Sequence, residues 1–521
     1  MQPNGHQPIF ILKEGTERSH GRVAQSNNIS AAKAVAEAVR STLGPKGMDK
    51  MLVDEGGDVI ITNDGATILR EMDIDHPAAK MIIEVAKTQE QECYDGTTTA
   101  VVLAGELLKR SEDLIEQNIH PTTICRAYRH AGDLVGPMLE SLATNTNSPE
   151  VLLEIAKTSL TGKSAGTIRD HLASMCVNVV ESLGNGSKVD LEHLNVVKAV
   201  GGEAGDSHLV DGIVIDKEKC HSSMPTGIGE GSILLIDFPL EVKTTEMDAN
   251  IQITDPNQIT AFLEQEESYI REMVEKVVGS GASAIVCQKG IDDLAKHYLS
   301  KAGVFALEKV KKSDMDALSR STGAAIISNF DDIGSSLGAF ARLEEEKIGE
   351  LPMTFVRVDN SPSITLLLRG GTAPFIEELE RAFDDAVGVV AVAYEDQMVL
   401  SGGGSSFMCL SRNIHEHAKN ESGRQRMGME AFANALEVIP RTLAENAGLD
   451  PVDEMMNMRA THDSGMTTYG INIEAGGTIN MEDLGVWEPH RVVAQALKSA
   501  IETSIMILRI DDVISSRKTG Q

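Results

Sequence analysis

The sequence predicts a multidomain protein in which an α/β domain is inserted into a mainly helical one. Three observations predict it. Apolar residues recur at helical spacing through about the first 145 residues and again after about residue 375. Between these stretches, short apolar runs alternate with helical patterns, which is the signature of a sheet covered by helices. The chain has 521 residues, too many for a single core, so two or three domains are expected.

The helical part begins at residues 28–43, where Ile29, Val35, Val39 and Leu43 share one face and Gly44-Pro45 ends the run. Residues 51–53 and 59–61 read as two short strands around Gly56-Gly57. Helices are predicted from Ala66, from Pro77 toward Glu92, and from Thr97 through Leu108, Pro77 being a favoured first-turn residue. In the middle, residues 233–236 form a buried strand candidate. Asp255-Pro256 reads as an N-cap and first helical residue, opening a helix through Ile259, Phe262, Ile270, Val274 and Val277. Strand 284–287, helix 292–301, strand 304–307, helix 313–322 and strand 325–328 follow. A helix is predicted from Pro374 toward Val392, and helical periodicity then dominates to Ile514.

Composition narrows the function classes. With 41% hydrophobic and 24% charged residues, the chain reads as an ordinary globular protein. Its net charge of −31 argues against a nucleic-acid binder, which needs a basic stripe. Such acidity keeps a large assembly soluble or fits a salt-rich cytoplasm. Aromatic residues are scarce at 3%, whereas 22 methionines suit both core filling and surfaces that repack around varied partners. Six widely spaced cysteines without a CxxC pair indicate neither a zinc site nor a disulfide framework, so a reducing, cytoplasmic compartment is expected. Residues 1–15 lack the pattern of a signal peptide, and no run of about 18 apolar residues suggests a membrane span.

Chemistry concentrates in three early segments: Gly44-Pro45-Lys46-Gly47, Asn63-Asp64-Gly65-Ala66-Thr67 and Asp95-Gly96-Thr97-Thr98-Thr99. Each is a tight turn beside a regular stretch, and the last two run into helix N-termini. Exposed backbone N–H groups and the positive end of a helix dipole bind anions, and adjacent carboxylates suit a metal ion. An Asp-Gly pair alone is usually just a turn, and the same holds for Gly44-Pro45-Lys46-Gly47. Asp95 followed by Gly96 and three threonines is more specific, because a carboxylate, unhindered backbone and hydroxyls at a helix start are what a Mg²⁺-phosphate group uses. Gly402-Gly403-Gly404 is a weaker backbone-exposing segment. Thr161-Gly162-Lys163-Ser164 resembles the end of a P-loop, but Lys157 stands where the first glycine is required, so a P-loop is rejected. Lys163 remains either a phosphate contact or a solvated loop lysine. Asp384-Asp385 lies on the predicted helix after Pro374 and matters only if that helix returns to the phosphate pocket. His415 and His417 do not form H-E-x-x-H and are assigned no metal.

Taken in order, these segments resemble a group II chaperonin, most closely an archaeal thermosome subunit. The resemblance spans nearly the whole chain. It rests on Thr42-Leu43-Gly44-Pro45-Lys46-Gly47-Met48-Asp49, the Asn63 and Asp95 segments, Thr158-Ser159-Leu160-Thr161-Gly162-Lys163 and Ile253-Thr254-Asp255-Pro256. Gln288-Lys289-Gly290-Ile291-Asp292-Asp293-Leu294-Ala295 and Leu508-Arg509-Ile510-Asp511-Asp512-Val513-Ile514 complete it. It implies a mainly helical equatorial domain (1–146 and 399–521), a small intermediate domain (147–212 and 365–398) and an inserted α/β apical domain (213–364) with a helical lid protrusion near 243–278. It further implies an ATP-dependent chaperone whose identical or paralogous subunits form back-to-back rings around unfolded proteins. By matched motif positions, Gly44 and Pro45 would line the nucleotide, and Asp95 would ligate Mg²⁺. Gly96, Thr97, Thr98 and Thr99 would hold phosphate, while Gly403 and Glu488 would face the adenosine. Asp64 and Asp385 would position the attacking water, Asp385 arriving as the intermediate domain closes, and Lys163 would sense the γ-phosphate.

Two residues depart from the family pattern. Tyr94 stands where glycine is usual, directly before Asp95, and Phe407 where an acidic residue serving the equatorial surface is usual. Both suggest a divergent paralogue, as in one subunit type of a mixed ring. The intact set Asp64, Asp95, Lys163 and Asp385 favours hydrolysis. Tyr94 favours the alternative, a nucleotide-binding ring subunit with weak ATPase that acts as a structural or holding partner. A metabolic α/β enzyme lacks support, since neither a nucleophile–base constellation nor a dinucleotide fingerprint is present.

Overall fold

The structure is a computed structural model describing residues 16–53, 56–57, 59–162, 166–241, 256–334, 336–359 and 361–516. It divides into two compact units, Met1–Val177 with Ala382–Gln521, and Asn178–Arg381.

The first unit is built around the helix Thr97–Glu116. Ala100 to Leu108 of this helix are all buried, because the helices Arg22–Arg40, Pro77–Cys93, Gly423–Leu436 and His490–Leu508 surround it. A continuous apolar run is what such a central helix requires. Gly105 permits the closest crossing, since a Cβ there would fall 2.3 Å from that of Ala36. Tyr128 fills the core beside Phe432 edge-on, and its hydroxyl donates to the Leu107 carbonyl at 2.8 Å, which satisfies the buried polar group. The predicted 28–43 helix is Arg22–Arg40, and the strands around Gly56-Gly57 are Lys50–Val53 and Val59–Thr62, paired antiparallel. The helices expected from Ala66, Pro77 and Thr97 are Gly65–Glu71, Pro77–Cys93 and Thr97–Glu116.

Helical character does not run to Ile514. The last helix ends at Leu508, and Asp512–Ser516 is a strand paired antiparallel with Thr16–His20, where Arg18 forms an ion pair with Asp512. Met398–Ser401, Trp487–Pro489 and Thr144–Asn145 form a small sheet, and Tyr469–Ile471 pairs with Thr478–Asn480.

The second unit is α/β. Phe305–Leu307, Ala284–Cys287, Gly231–Ile236 and Ile326–Ile327 lie side by side and parallel, with Gly338–Phe340 antiparallel at Gly231–Ile236. Both faces of this sheet are covered, so its strands are continuously apolar. Leu234, Ile236 and Ile285 meet Ile270 and Val274 of helix Pro256–Gly279 and Leu299 of helix Asp293–Lys301. Ile233, Leu235 and Phe305 meet Leu318 of helix Lys312–Thr322. Two further sheets, Ile213–Ile215 with Leu351–Arg357, Arg342–Ile348 and Gly227–Ile228, and Leu194–Val200 with Ile364–Gly370 and His208–Asp211, have no counterpart in the sequence expectations. The Asp255 cap and residues 243–255 of the expected protrusion lie outside the described residues, as do the side chains of Ile259 and Phe262.

Candidate functional site

The first turn follows helix Arg22–Arg40. Gly44 takes φ +82°, and a Cβ there would lie 2.3 Å from Leu443 Cδ2, so only glycine lets the chain turn here. Asn446 Nδ2 pins the turn by donating to the Leu43 carbonyl at 2.8 Å.

Asp64 is the N-cap of helix Gly65–Glu71. Its carboxylate accepts from Thr67 N at 2.7 Å and more weakly from Ala66 N at 3.4 Å. Thr97 Oγ1 also donates to Asp64 Oδ1 at 3.4 Å, which joins this cap to the next helix start. Gly65 is tightly enclosed, for a Cβ would lie 2.5 Å from Thr98 Oγ1. Burial, reinforced by the Asp64 charge, raises nearby Glu90 above the usual carboxylate range.

Tyr94 closes helix Pro77–Cys93 in the left-handed region (φ 60°, ψ −1°), donating its N–H to the Glu90 carbonyl at 2.9 Å. Asp95 follows, its Oδ1 accepting from Gly96 N at 2.7 Å. Gln89, fully buried, fixes this loop by donating from Nε2 to the Asp95 carbonyl at 2.8 Å and the Val492 carbonyl at 3.0 Å. Gly96 (φ 77°) is then the N-cap of helix Thr97–Glu116. That helix has no side-chain cap and no acidic residue in its first turn. Its first amides are therefore an anion site within a 20-residue helix.

These elements surround one cavity of about 810 Å³, inside the range of small-molecule sites. Gly44, Pro45, Asp64, Asp95, Gly96, Thr97, Thr98, Thr99, Asp385, Gly403 and Glu488 all line it. Lys163 lies outside the described residues, but Gly162 before it is tied down by Asn63 Nδ2 donating to its carbonyl at 2.7 Å. A Cβ on Gly162 would also meet the Pro45 carbonyl at 3.2 Å, so the loop leading to Lys163 adjoins the first turn. Asp385 belongs to helix Ala373–Asp396, whose residues from Ala382 onward fall in the first compact unit. Residues 149–160 before the P-loop lookalike are helical, and Lys157 there pairs with Glu154 at 2.8 Å.

Sequence reasoning missed several lining groups. Arg169 brings a guanidinium to the cavity, and Ile471, Ile473, Met481, Val486 and Trp487 give it an apolar portion. Gly403 abuts that portion, a Cβ there falling 2.7 Å from Met481 Sδ. The single tryptophan of the chain was the available signal for this region. Burial and the charge of Asp95 push the Glu488 carboxyl up to about 7. Phe407, standing where the family usually has an acidic residue, is 2% exposed, packed in the core and bordering the cavity.

The donor set fits a nucleotide triphosphate. It offers free-ended amides, three threonine hydroxyls, glycine-walled space and an apolar portion for a base. Among the described residues no group of three or more His, Cys, Asp or Glu side chains gathers as a metal cage. A magnesium ion suits the site on other terms, because Mg²⁺ is commonly held by one or two carboxylates plus phosphate oxygens and water.

A mainly helical unit with a glycine- and threonine-lined cavity, interrupted in the chain by an α/β unit, is consistent with the chaperonin fold. Residues 35–518 match the model of the TCP-1/cpn60 chaperonin family. The chain is 51% identical over 519 residues to a thermosome subunit beta of Archaeoglobus fulgidus, covering 98% of this chain and 95% of that one. It is 49% identical over 521 residues to a thermosome subunit alpha of Thermoplasma acidophilum (99% and 96%) and 51% identical over 520 residues to a thermosome subunit of Pyrococcus horikoshii (98% and 95%). The chain therefore belongs to the TCP-1/cpn60 chaperonin family, and its function is that of a group II, ATP-dependent chaperone.

Proposed function

We propose that the chain binds ATP with Mg²⁺ in this cavity and hydrolyses it as one subunit of a cytoplasmic double ring that encloses unfolded proteins. The observation that carries the reading is the uncapped start of helix Thr97–Glu116, surrounded in one cavity by Asp64, Asp95 and Asp385. The amides and hydroxyls of Thr97, Thr98 and Thr99 hold phosphate oxygens, and Gly44 and Pro45 wall the nucleotide. Asp95 would hold Mg²⁺ together with the phosphates, and the ion would supply charge neutralisation of the transferring group. Asp64 and Asp385 orient the attacking water and take its proton. Gly403 and Glu488 face the adenosine, and Lys163 senses the γ-phosphate. Catalysis of this kind is positioning plus electrostatic stabilisation.

The equatorial (1–146, 399–521), intermediate (147–212, 365–398) and apical (213–364) division accompanies this reading, with the lid protrusion near 243–278. For ring contacts, the hairpin Lys50–Val53/Val59–Thr62 offers a second copy an apolar surface. Met51, Val53, Val59 and Ile61 are 52–66% exposed, a patch that monomers seldom leave uncovered. The six cysteines are free, in keeping with a reducing cytoplasm. Among the described residues no helix is long and apolar enough to cross a membrane.

The test is Asp385→Ala. It is expected to bind ATP as the parent does and to lose turnover, and unchanged hydrolysis would remove Asp385 from the mechanism. A parent that binds ATP in a ring yet turns it over only weakly would favour the holding-partner reading.

A further inference from the structure

We propose that Tyr94 is a positioning residue for this chaperonin's hydrolytic site. Its ring, seated on Gly388, holds the helix that carries Asp385 in register with the Asp95 loop. The inference rests on the ATPase reading above.

Two locally unfavourable choices meet here. Tyr94 occupies the left-handed region (φ 60°), which bulky residues avoid and glycine accepts. Gly388 sits inside helix Ala373–Asp396, where alanine is the better helix former. The tyrosine ring explains the glycine. A Cβ on Gly388 would lie 2.2 Å from Tyr94 Cγ and 2.5 and 2.6 Å from Cδ1 and Cδ2, so the near half of the ring occupies the space a side chain would take. Only glycine on the helix admits the ring. Strained conformations persist where the surroundings over-determine them and concentrate at functional sites.

The location gives the contact its consequence. Tyr94 directly precedes Asp95, and Gly388 lies three residues after Asp385, about 4.5 Å along the helix axis. The seat therefore joins the loop assigned to phosphate and metal to the helix assigned to the attacking water. Tyr94 and Asp385 both border the cavity, as does Val389 beside Gly388. The helix is fastened again at its far end, where Arg491 Nε donates to Asp396 Oδ2 at 2.7 Å. With the seat removed, the helix loses the contact one turn from Asp385, the anchor at Asp396 lies about three helical turns away, and a shift of Asp385 by fractions of an ångström slows chemistry.

The experiment is a double-mutant cycle on the assembled full-length protein with ATP and Mg²⁺. It reads kcat, KM and the thermal midpoint for Tyr94→Phe, Tyr94→Gly, Gly388→Ala and Tyr94→Gly/Gly388→Ala. Tyr94→Phe keeps the ring and is expected to stay within twofold of the parent. Tyr94→Gly is expected to lower kcat about tenfold with KM within twofold, because the groups that bind nucleotide are untouched. Gly388→Ala is expected to lower kcat and the midpoint in the parent, but in the Tyr94→Gly background to leave kcat unchanged and to raise the midpoint slightly, as alanine outranks glycine inside a helix. Additive losses, an effect carried by KM, or a Tyr94→Gly kcat equal to or above the parent's would overturn the proposal. Should Gly388→Ala fail to assemble, its recovery in the Tyr94→Gly background is the same expected coupling, and failure to recover overturns it. A parent without any turnover would contradict the ATPase reading instead, and the midpoint cycle would still decide whether the seat exists.

Discussion

Asp64 performs two tasks that one pair of substitutions separates. It caps helix Gly65–Glu71 through Thr67 N and Ala66 N, and it is the carboxylate proposed to orient water. Asp64→Ala removes both. Loss of an N-cap costs about 1 kcal/mol, and the first compact unit is large, so its midpoint should fall by only about 2 °C. Loss of a proton-accepting group in the transition state slows reactions by roughly 10²- to 10⁴-fold, or about 2.7 to 5.5 kcal/mol of barrier. Asp64→Asn keeps an equally good cap, since Asn and Asp rank together at N-caps, but it loses the charge. It is expected to melt with the parent, bind ATP, and hydrolyse it at least about 100-fold more slowly. The assays are differential scanning calorimetry, calorimetric titration with ATP, and phosphate release under single-turnover conditions. An Asn variant that hydrolyses within threefold of the parent would show that Asp64 is a structural cap and nothing more.

Gly65→Ala should selectively impair nucleotide binding, because its methyl would enter the space of Thr98 Oγ1. Overpacking of about 1 to 3 kcal/mol predicts roughly 5- to 150-fold weaker ATP affinity, and unchanged affinity would mean that this wall yields. Trp487, the chain's single tryptophan, borders the cavity, so its fluorescence should change saturably with ATP. A flat signal while calorimetry records binding would place the base elsewhere. Glu488, raised from 4.5 to about 7, holds a proton in the folded state that the unfolded chain releases. Its contribution to stability therefore declines as pH rises from about 4.5 to about 7 and is constant above that. Melting of the nucleotide-free protein should show this slope, and Glu488→Gln should abolish it; parallel curves for the two would contradict the assignment.

The pocket was legible because its parts are local. Gly44, Asp64-Gly65 and Asp95-Gly96 impose turns and helix starts through chemistry confined to a few residues, and the apolar face of 28–43 or 97–108 declares its own period. The sheets through 342–370 were not legible. Arg342–Ile348 carries three consecutive glutamates, and its pairing with Leu351–Arg357 and Gly227–Ile228 draws on partners far along the chain. The strand Asp512–Ser516 depends likewise on Thr16–His20. Tyr94 was visible as an anomaly, but its partner Gly388 was not, since no local pattern links a turn to a helix nearly 300 residues later.

The discontinuity of the first unit sets an order of events during synthesis. At roughly 5–20 residues per second, the ribosome needs about 10–40 s to make Asn178–Arg381 before the rest of the first unit begins to appear. Through that interval helix Thr97–Glu116 waits without helix His490–Leu508, which packs on it, and the cavity waits without Gly403 and Glu488. The α/β unit, contiguous in the chain, has everything it needs far sooner. A nascent chain thus completes this cavity last, once translation has passed the segment supplying Trp487 and Glu488.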